Sequence, residues 1–229
     1  MKINTLSIVL YFSACIATIL FNTVGQDGYM LWSKIFIVPS IALYYLSTTN
    51  YKIDFVKAGF FGFSFIGDIY RLISPNNFET GQIICFLVSY ILLLYYIFPS
   101  FIKINLKHKY NVLLIALIVF LLTTLAYFIL SLKFEKMQTN MSFLVFYSII
   151  LETLLCIAIV EYSRKATNVT VNLLMSVIFF VFSDCFYIIN KFYLAFNLFD
   201  FIQIFTQVFT YYFVVNFFIS HKKEMVKLD

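Results

Sequence analysis

Apolar runs about twenty residues long recur from one end of this chain to the other. They occupy roughly residues 3–21, 30–49, 54–74, 81–101, 110–132, 141–161, 169–190 and 198–220, with short polar breaks between them. A helix rises about 1.5 Å per residue, so about 20 residues cross the roughly 30 Å hydrocarbon core of a bilayer. Outer-membrane strands would instead alternate apolar and polar residues in segments of about ten. The chain therefore reads as an all-α integral membrane protein, a bundle of eight transmembrane helices forming one polytopic domain over residues 1–229.

Composition removes the alternatives. The chain is 62% apolar and 12% charged, against about 45–50% and about 25% in soluble domains, too little polar surface to coat a water-soluble globule. A disordered or disulfide-stapled secreted chain is excluded as well. Cys15, Cys85, Cys156 and Cys185 lie inside apolar runs without CxxC spacing and read as small buried hydrophobes. The first run follows a single Lys2, lacks a small-x-small cleavage site and precedes seven similar runs, so it is kept as a span.

The net charge of +5 reflects orientation in the membrane, and no nucleic-acid partner is expected. With the N-terminus inside, cytoplasmic segments hold Lys2, Lys52, Lys57, Lys103, Lys107, Lys109, Arg164, Lys165, Lys222, Lys223 and Lys227. The other side holds only Arg71, Lys133, Lys136 and Lys191, with Lys34 left inside span two. Eleven against four places both termini in the cytoplasm, and the compact loops suit a bacterial inner membrane.

A charge near the bilayer centre costs about 2.5–3.5 kcal/mol even on the lenient insertion scale, so such residues mark pairing, transport or chemistry. The candidates are Lys34, Asp68, Glu152 and Asp184, with Arg71, Lys191 and Asp200 nearer span ends. Lys34, Asp68 and Asp184 come from three helices yet fall at a similar depth, which implies a polar pocket opening toward the outer leaflet. Arg71 lies three residues beyond Asp68 on the same face, and Asn190 and Lys191 close span seven at that side. Plainer roles exist for some of these residues. Lys34 is close enough to the interface to snorkel, Asp68 has Arg71 as a ready ion partner, and Glu152 is placed to satisfy a buried donor. Asp184 has no basic residue within a helical turn, so a functional role is expected for it. Each aspartate follows a small residue, Gly67 or Ser183, which lets helices approach closely.

His108 and His221 are the only histidines and lie far from the acidic level, so no metal site is expected. No Walker A, Rossmann glycine pattern or GxSxG elbow appears, and no cofactor is expected. The available catalysts are carboxylates.

These landmarks carry a resemblance. "SKIFIVPS" (33–40) resembles the K-P segment of YhhN-like proteins, and "FSFIGDIYRLI" (63–73) resembles their G-D motif. "VIFFVFSDCFYIINKF" (177–192) is similar to their F-x-x-S-D segment running toward N-[KR]-F. Tyr212 and Asn216 fall where the family has a Tyr and a Gln, and the fourth span has Tyr90 and Tyr95 where many members have a His. The family includes the lysoplasmalogenases, which hydrolyse the vinyl ether bond of lysoplasmalogens to a fatty aldehyde and a glycerophospho-alcohol. The resemblance implies a lysophospholipid substrate, with Asp68 and Asp184 as the catalytic pair. Lys34, Arg71, Ser183, Asn190, Tyr212 and Asn216 are the implied substrate contacts.

The chemistry suits these residue types. Protonation of the vinyl ether β-carbon gives an oxocarbenium ion that water captures, which calls for a carboxylic acid and a carboxylate. The rival reading is a small secondary transporter using Asp68 and Asp184 as a proton or solute site. No span is expected to be broken in its middle by Gly or Pro, and the charges cluster at one level, which favours the enzyme.

Overall fold

A computed structural model describes residues 3–73, 79–102 and 141–226, together with scattered positions between 116 and 127. Among these residues the protein is all-helical. Helix α1 spans Ile3–Thr23, α2 Asp27–Ile35, α3 Ile37–Thr48, α4 Phe55–Ile73, α5 Glu79–Ile102, α6 Met141–Arg164, α7 Asn168–Ile188 and α8 Asn197–Val226. Because α2 and α3 form one interrupted rod, seven rods are described. Six are long and apolar enough to cross a membrane; the seventh, α4, carries Lys57, Asp68 and Arg71. The expected span 110–132 lies almost wholly outside the described residues.

Span two departs from expectation, being broken at Phe36 between α2 and α3. The cause is Pro39, whose ring would clash with the carbonyl of Ile35, four residues back, and whose nitrogen has no proton to donate to it. At the break the Phe36 N–H turns to the Ser33 carbonyl at 3.2 Å, and regular bonding resumes with Ser40 N–H donating to the Phe36 carbonyl at 3.1 Å. Pro99 also lies within a helix, close to the end of α5. The expectation that no span is broken by Gly or Pro, with Pro39 as the only proline inside one, is therefore corrected. Its consequence is local: α2 ends immediately after Lys34.

Helix α8 is the central post. In its membrane-length segment 67% of residues are buried, against 28% in α1. It packs most extensively on α7 and also touches α3 and α1, while α4 lies along α5. Tyr11 of α1 donates its phenol proton to the Val208 carbonyl of α8. Helix α1 otherwise shows Leu6, Val9, Ile16 and Leu20 to the outside, the surface a lipid-facing helix requires.

Small residues set the α4–α5 spacing. A Cβ added at Gly67 would sit 3.3 Å from the Phe86 ring and 3.4 Å from the Cys85 Cβ, and one at Gly59 would lie 2.9 Å from Leu92. Ser64 donates to Ser89 across the same seam at 3.1 Å.

Helix α7 has a capping box at its start. Thr167 Oγ1 accepts from the Thr170 N–H at 3.3 Å, and Thr170 Oγ1 accepts from the Thr167 N–H at 2.9 Å. Its far end widens into a π turn over Ile189–Tyr193, closed where the Phe196 N–H donates to Asn190 Oδ1 at 2.7 Å.

Near the opposite end of the bundle, Lys57 is buried in an aromatic basket. Its ammonium lies 4.7 Å from the Tyr96 ring centre, 5.6 Å from Phe218 and 5.9 Å from Tyr45. It also pairs with Asp54 at 2.8 Å. Tyr96 Oη and His221 Nδ1 are 3.0 Å apart, tying the end of α8 to α5. The four cysteines are free thiols.

Candidate functional site

Two polar clusters lie beside one another in the bundle, joined by α8. The first gathers around Asp68 of α4, which is 3% exposed. Lys34, at the last turn of α2 and 2% exposed, approaches Asp68 Oδ1 at 3.3 Å. Its Nζ also donates to Gln207 Oε1 at 2.6 Å. Gln207 in turn donates through Nε2 to Asp68 Oδ1 at 3.3 Å, and Tyr211 donates to Asp68 Oδ2 at 3.4 Å. Gln203 donates to Gln207 Oε1 at 3.4 Å. Gln203, Gln207 and Tyr211 are spaced by four residues, so one face of α8 presents all three. A buried ion pair is tolerated only where hydrogen bonds satisfy its remaining valences, and these α8 side chains supply that satisfaction.

The second cluster centres on Asp184 of α7. Tyr90 of α5 and Tyr147 of α6 both donate to Asp184 Oδ2, at 2.7 and 2.6 Å. The two rings pack against each other at 5.6 Å between centroids, and Phe180 braces Tyr90 at 4.7 Å. The phenols fix the carboxyl plane through one oxygen. Asp184 Oδ1 accepts no hydrogen bond from the described residues. Lys34 is within electrostatic reach of Asp184.

Between α5, α6, α7 and α8 lies a narrow, partly open recess of about 30 Å³. Asp184, Ser183 and Tyr187 border it from α7, Gln203 and Gln207 from α8, and Gln82 from α5. Ile83, Phe86, Leu144 and Ile188 make the apolar part of the wall. Asp184 thus faces the recess directly, while Asp68 meets it through Gln207.

The residues singled out in the sequence divide in three ways. Lys34, Asp68, Asp184 and Ser183 converge on this centre, although Lys34 is held by Asp68 and Gln207 and does not snorkel. Asp68 has Lys34 as an ion partner; the side chain of Arg71 lies outside the described residues. Asn190 closes the π turn and does not border the recess. Tyr212 packs against Phe12 and Phe213 with tilted and edge-on rings, and Asn216 lies about two and a half turns beyond Gln207; neither borders the recess. The phenol and amide that α8 brings to Asp68 are Tyr211 and Gln207, one face round from Tyr212. Glu152 is half-buried and accepts no hydrogen bond from the described residues. Lys191 donates to Tyr187 Oη at 3.2 Å.

Sequence reasoning missed Tyr147, Gln82, Gln203, Gln207 and Tyr211. A signal was present in the three α8 positions at intervals of four, a polar stripe within an apolar helix. Tyr147 had none, because one tyrosine among seventeen reads as an interfacial anchor. No group of three or more His, Cys, Asp or Glu positioned to hold a metal ion occurs among the described residues.

A bundle of apolar, membrane-length helices enclosing a carboxylate, amide and phenol centre is the class that fold and site define. The model of the YhhN family matches residues 29–222, and the chain belongs to the YhhN family. No curated protein and no solved structure matches the chain at a significant level.

Proposed function

We propose that this protein is a membrane-embedded lipid hydrolase of lysoplasmalogenase type, with eight spans and cytoplasmic termini, acting on the vinyl ether bond of a lysophospholipid. One observation carries the reading: the Asp184 carboxyl borders a largely apolar recess, with one oxygen clamped by two phenols and the other accepting no hydrogen bond from the described residues. In its protonated form Asp184 delivers the proton to the β-carbon of the vinyl ether, and the α-carbon becomes an oxocarbenium centre. The carboxylate left behind stabilises that cation and takes a proton from the attacking water. The hemiacetal then separates into aldehyde and alcohol, and Asp184 is again protonated. One carboxyl balances the proton account. Asp68 acts through its neighbours, holding the Lys34 charge and the Gln207 amide at the recess wall. The alkenyl chain lies along Ile83, Phe86, Leu144 and Ile188.

The test is release of fatty aldehyde from an alkenyl lysophospholipid by purified protein in detergent. Parent protein releases aldehyde, and Asp184→Asn, folded as judged by a parent-like elution profile and melting curve, loses at least 100-fold in rate. Folded parent protein that releases none refutes the assignment. A second reading, a proton or solute carrier, draws on the break at Phe36, since interrupted helices frame many transport sites. Proteoliposomes that accumulate solute or dissipate a proton gradient, with no aldehyde formed, favour it.

A further inference from the structure

Gln82 is the residue the proposed chemistry leaves unused. It lies one turn into α5, is only 6% exposed, and borders the same recess as Asp184. It makes no hydrogen bond with the described residues, unlike Gln203 and Gln207, which are bonded into the Asp68 network. Its amide atoms are not sealed off: among the described residues, Glu161 Oε1 is the one fully buried side-chain polar atom without a partner, so the Gln82 amide stays open to the recess. Such a group at the wall of a recess is satisfied by what enters.

The neighbouring groups restrict the entrant. The Asp184 carboxyl, protonated in the resting state of the proposed reaction, and the Gln82 amide each present both a donor and an acceptor. A phosphate suits this corner badly, because it would face the Asp184 carboxyl, while the Lys34 ammonium is paired with Asp68 at 3.3 Å and that of Lys191 is engaged with Tyr187 at 3.2 Å. A neutral hydroxyl fits, since it can accept from the amide and donate to an oxygen. The apolar wall formed by Ile83 and Phe86, on the same helix as Gln82, accommodates a hydrocarbon chain attached close to that hydroxyl.

We infer that Gln82 is a specificity-determining residue that binds the free sn-2 hydroxyl of a single-chain glycerolipid. This rests on the hydrolase reading for the identity of the lipid, but the recognition itself is a binding property. The reciprocal consequence is exclusion. An acyl group at sn-2 removes the donor proton, and its second chain must share the corner with the amide, so two-chain lipids are rejected at Gln82.

The experiment separates binding from chemistry. A saturated 1-alkyl lysophosphatidylcholine, which has no vinyl ether to cleave, and its 2-deoxy counterpart are titrated calorimetrically into parent and Gln82→Met protein in detergent. Parent protein binds the hydroxyl ligand about tenfold more tightly than the deoxy ligand, the worth of about 1.4 kcal/mol. Gln82→Met binds both as weakly as the parent binds the deoxy ligand. Equal affinities in the parent, or a preference that survives Gln82→Met, overturn the inference. The comparison of two ligands on the parent alone decides the hydroxyl question even if the variant does not fold. Aldehyde release from the alkenyl lysolipid is measured beside it. A hydroxyl preference without aldehyde refutes the hydrolase reading and leaves the recognition standing; aldehyde without any preference does the reverse.

Discussion

Removing either member of the Lys34–Asp68 pair should cost far more than removing both. Their charged atoms are 3.3 Å apart, and the side chains are 3% and 1% exposed. At that distance and an effective dielectric of about 20, the gross attraction is about 5 kcal/mol. Desolvation of the two ions offsets most of it, so the pair itself contributes little net stability. Lys34→Met, however, strands a carboxylate beside Gln207 and Tyr211, and Asp68→Asn strands an ammonium, each at about 3–5 kcal/mol. The double variant strands neither and should fall within about 2 kcal/mol of the parent, a coupling of at least about 4 kcal/mol. The assay is unfolding by SDS titration in mixed micelles, followed by the fluorescence of Trp32, the single tryptophan. Trp32 lies in α2, two residues before Lys34. Losses that simply add in the double variant would refute the pairing, because additivity is the signature of sites that do not interact.

Tyr90→Phe and Tyr147→Phe each remove one hydrogen bond to the Asp184 carboxyl, about 0.5–1.5 kcal/mol apiece. Aldehyde release should fall by up to about tenfold in each single variant and further in the double, read as initial rates. Gly67→Leu forces α4 away from the Phe86 ring, 3.3 Å from where its Cβ would sit, and should cost about 1–3 kcal/mol by the same SDS titration. Thr167→Ala removes the capping oxygen of α7 and should lower stability by about 1 kcal/mol while leaving aldehyde release unchanged, because the cap lies at the opposite end of α7 from Asp184.

Much of the architecture was legible because the bilayer allows few solutions. Backbone groups in hydrocarbon must bond within their own segment, so apolar run length alone located α1 and α4 to α8 to within a few residues. The break at Phe36 was not read, although Pro39 was in view. The hydrophobic run continues across it, and hydropathy does not register a missing N–H. At the site, charge was the readable quantity: Lys34, Asp68 and Asp184 stood out because each is expensive in an apolar run. Neutral polar groups were harder. Gln207 and Tyr90 cost less to bury, and their importance comes from which carboxylate they meet. That pairing is fixed by how α8 and α5 rotate about their axes. The same rotation explains why Tyr211, and not Tyr212, faces Asp68: adjacent positions on a helix differ by about 100°.

The aromatic basket around Lys57 gives α8 a second anchorage. Phe218 packs against that ammonium, and His221 meets Tyr96, while eleven residues earlier Gln207 grips Lys34 and Asp68. The two grips lie about 16 Å apart along a helix that rises about 1.5 Å per residue. A rod held at both ends behaves as a lever with no free arm. Loosening its Lys57 end, by Phe218→Ala for instance, would let the Gln203–Gln207–Tyr211 face swing, and the change would be felt as altered grip on a lipid at the far mouth of the bundle.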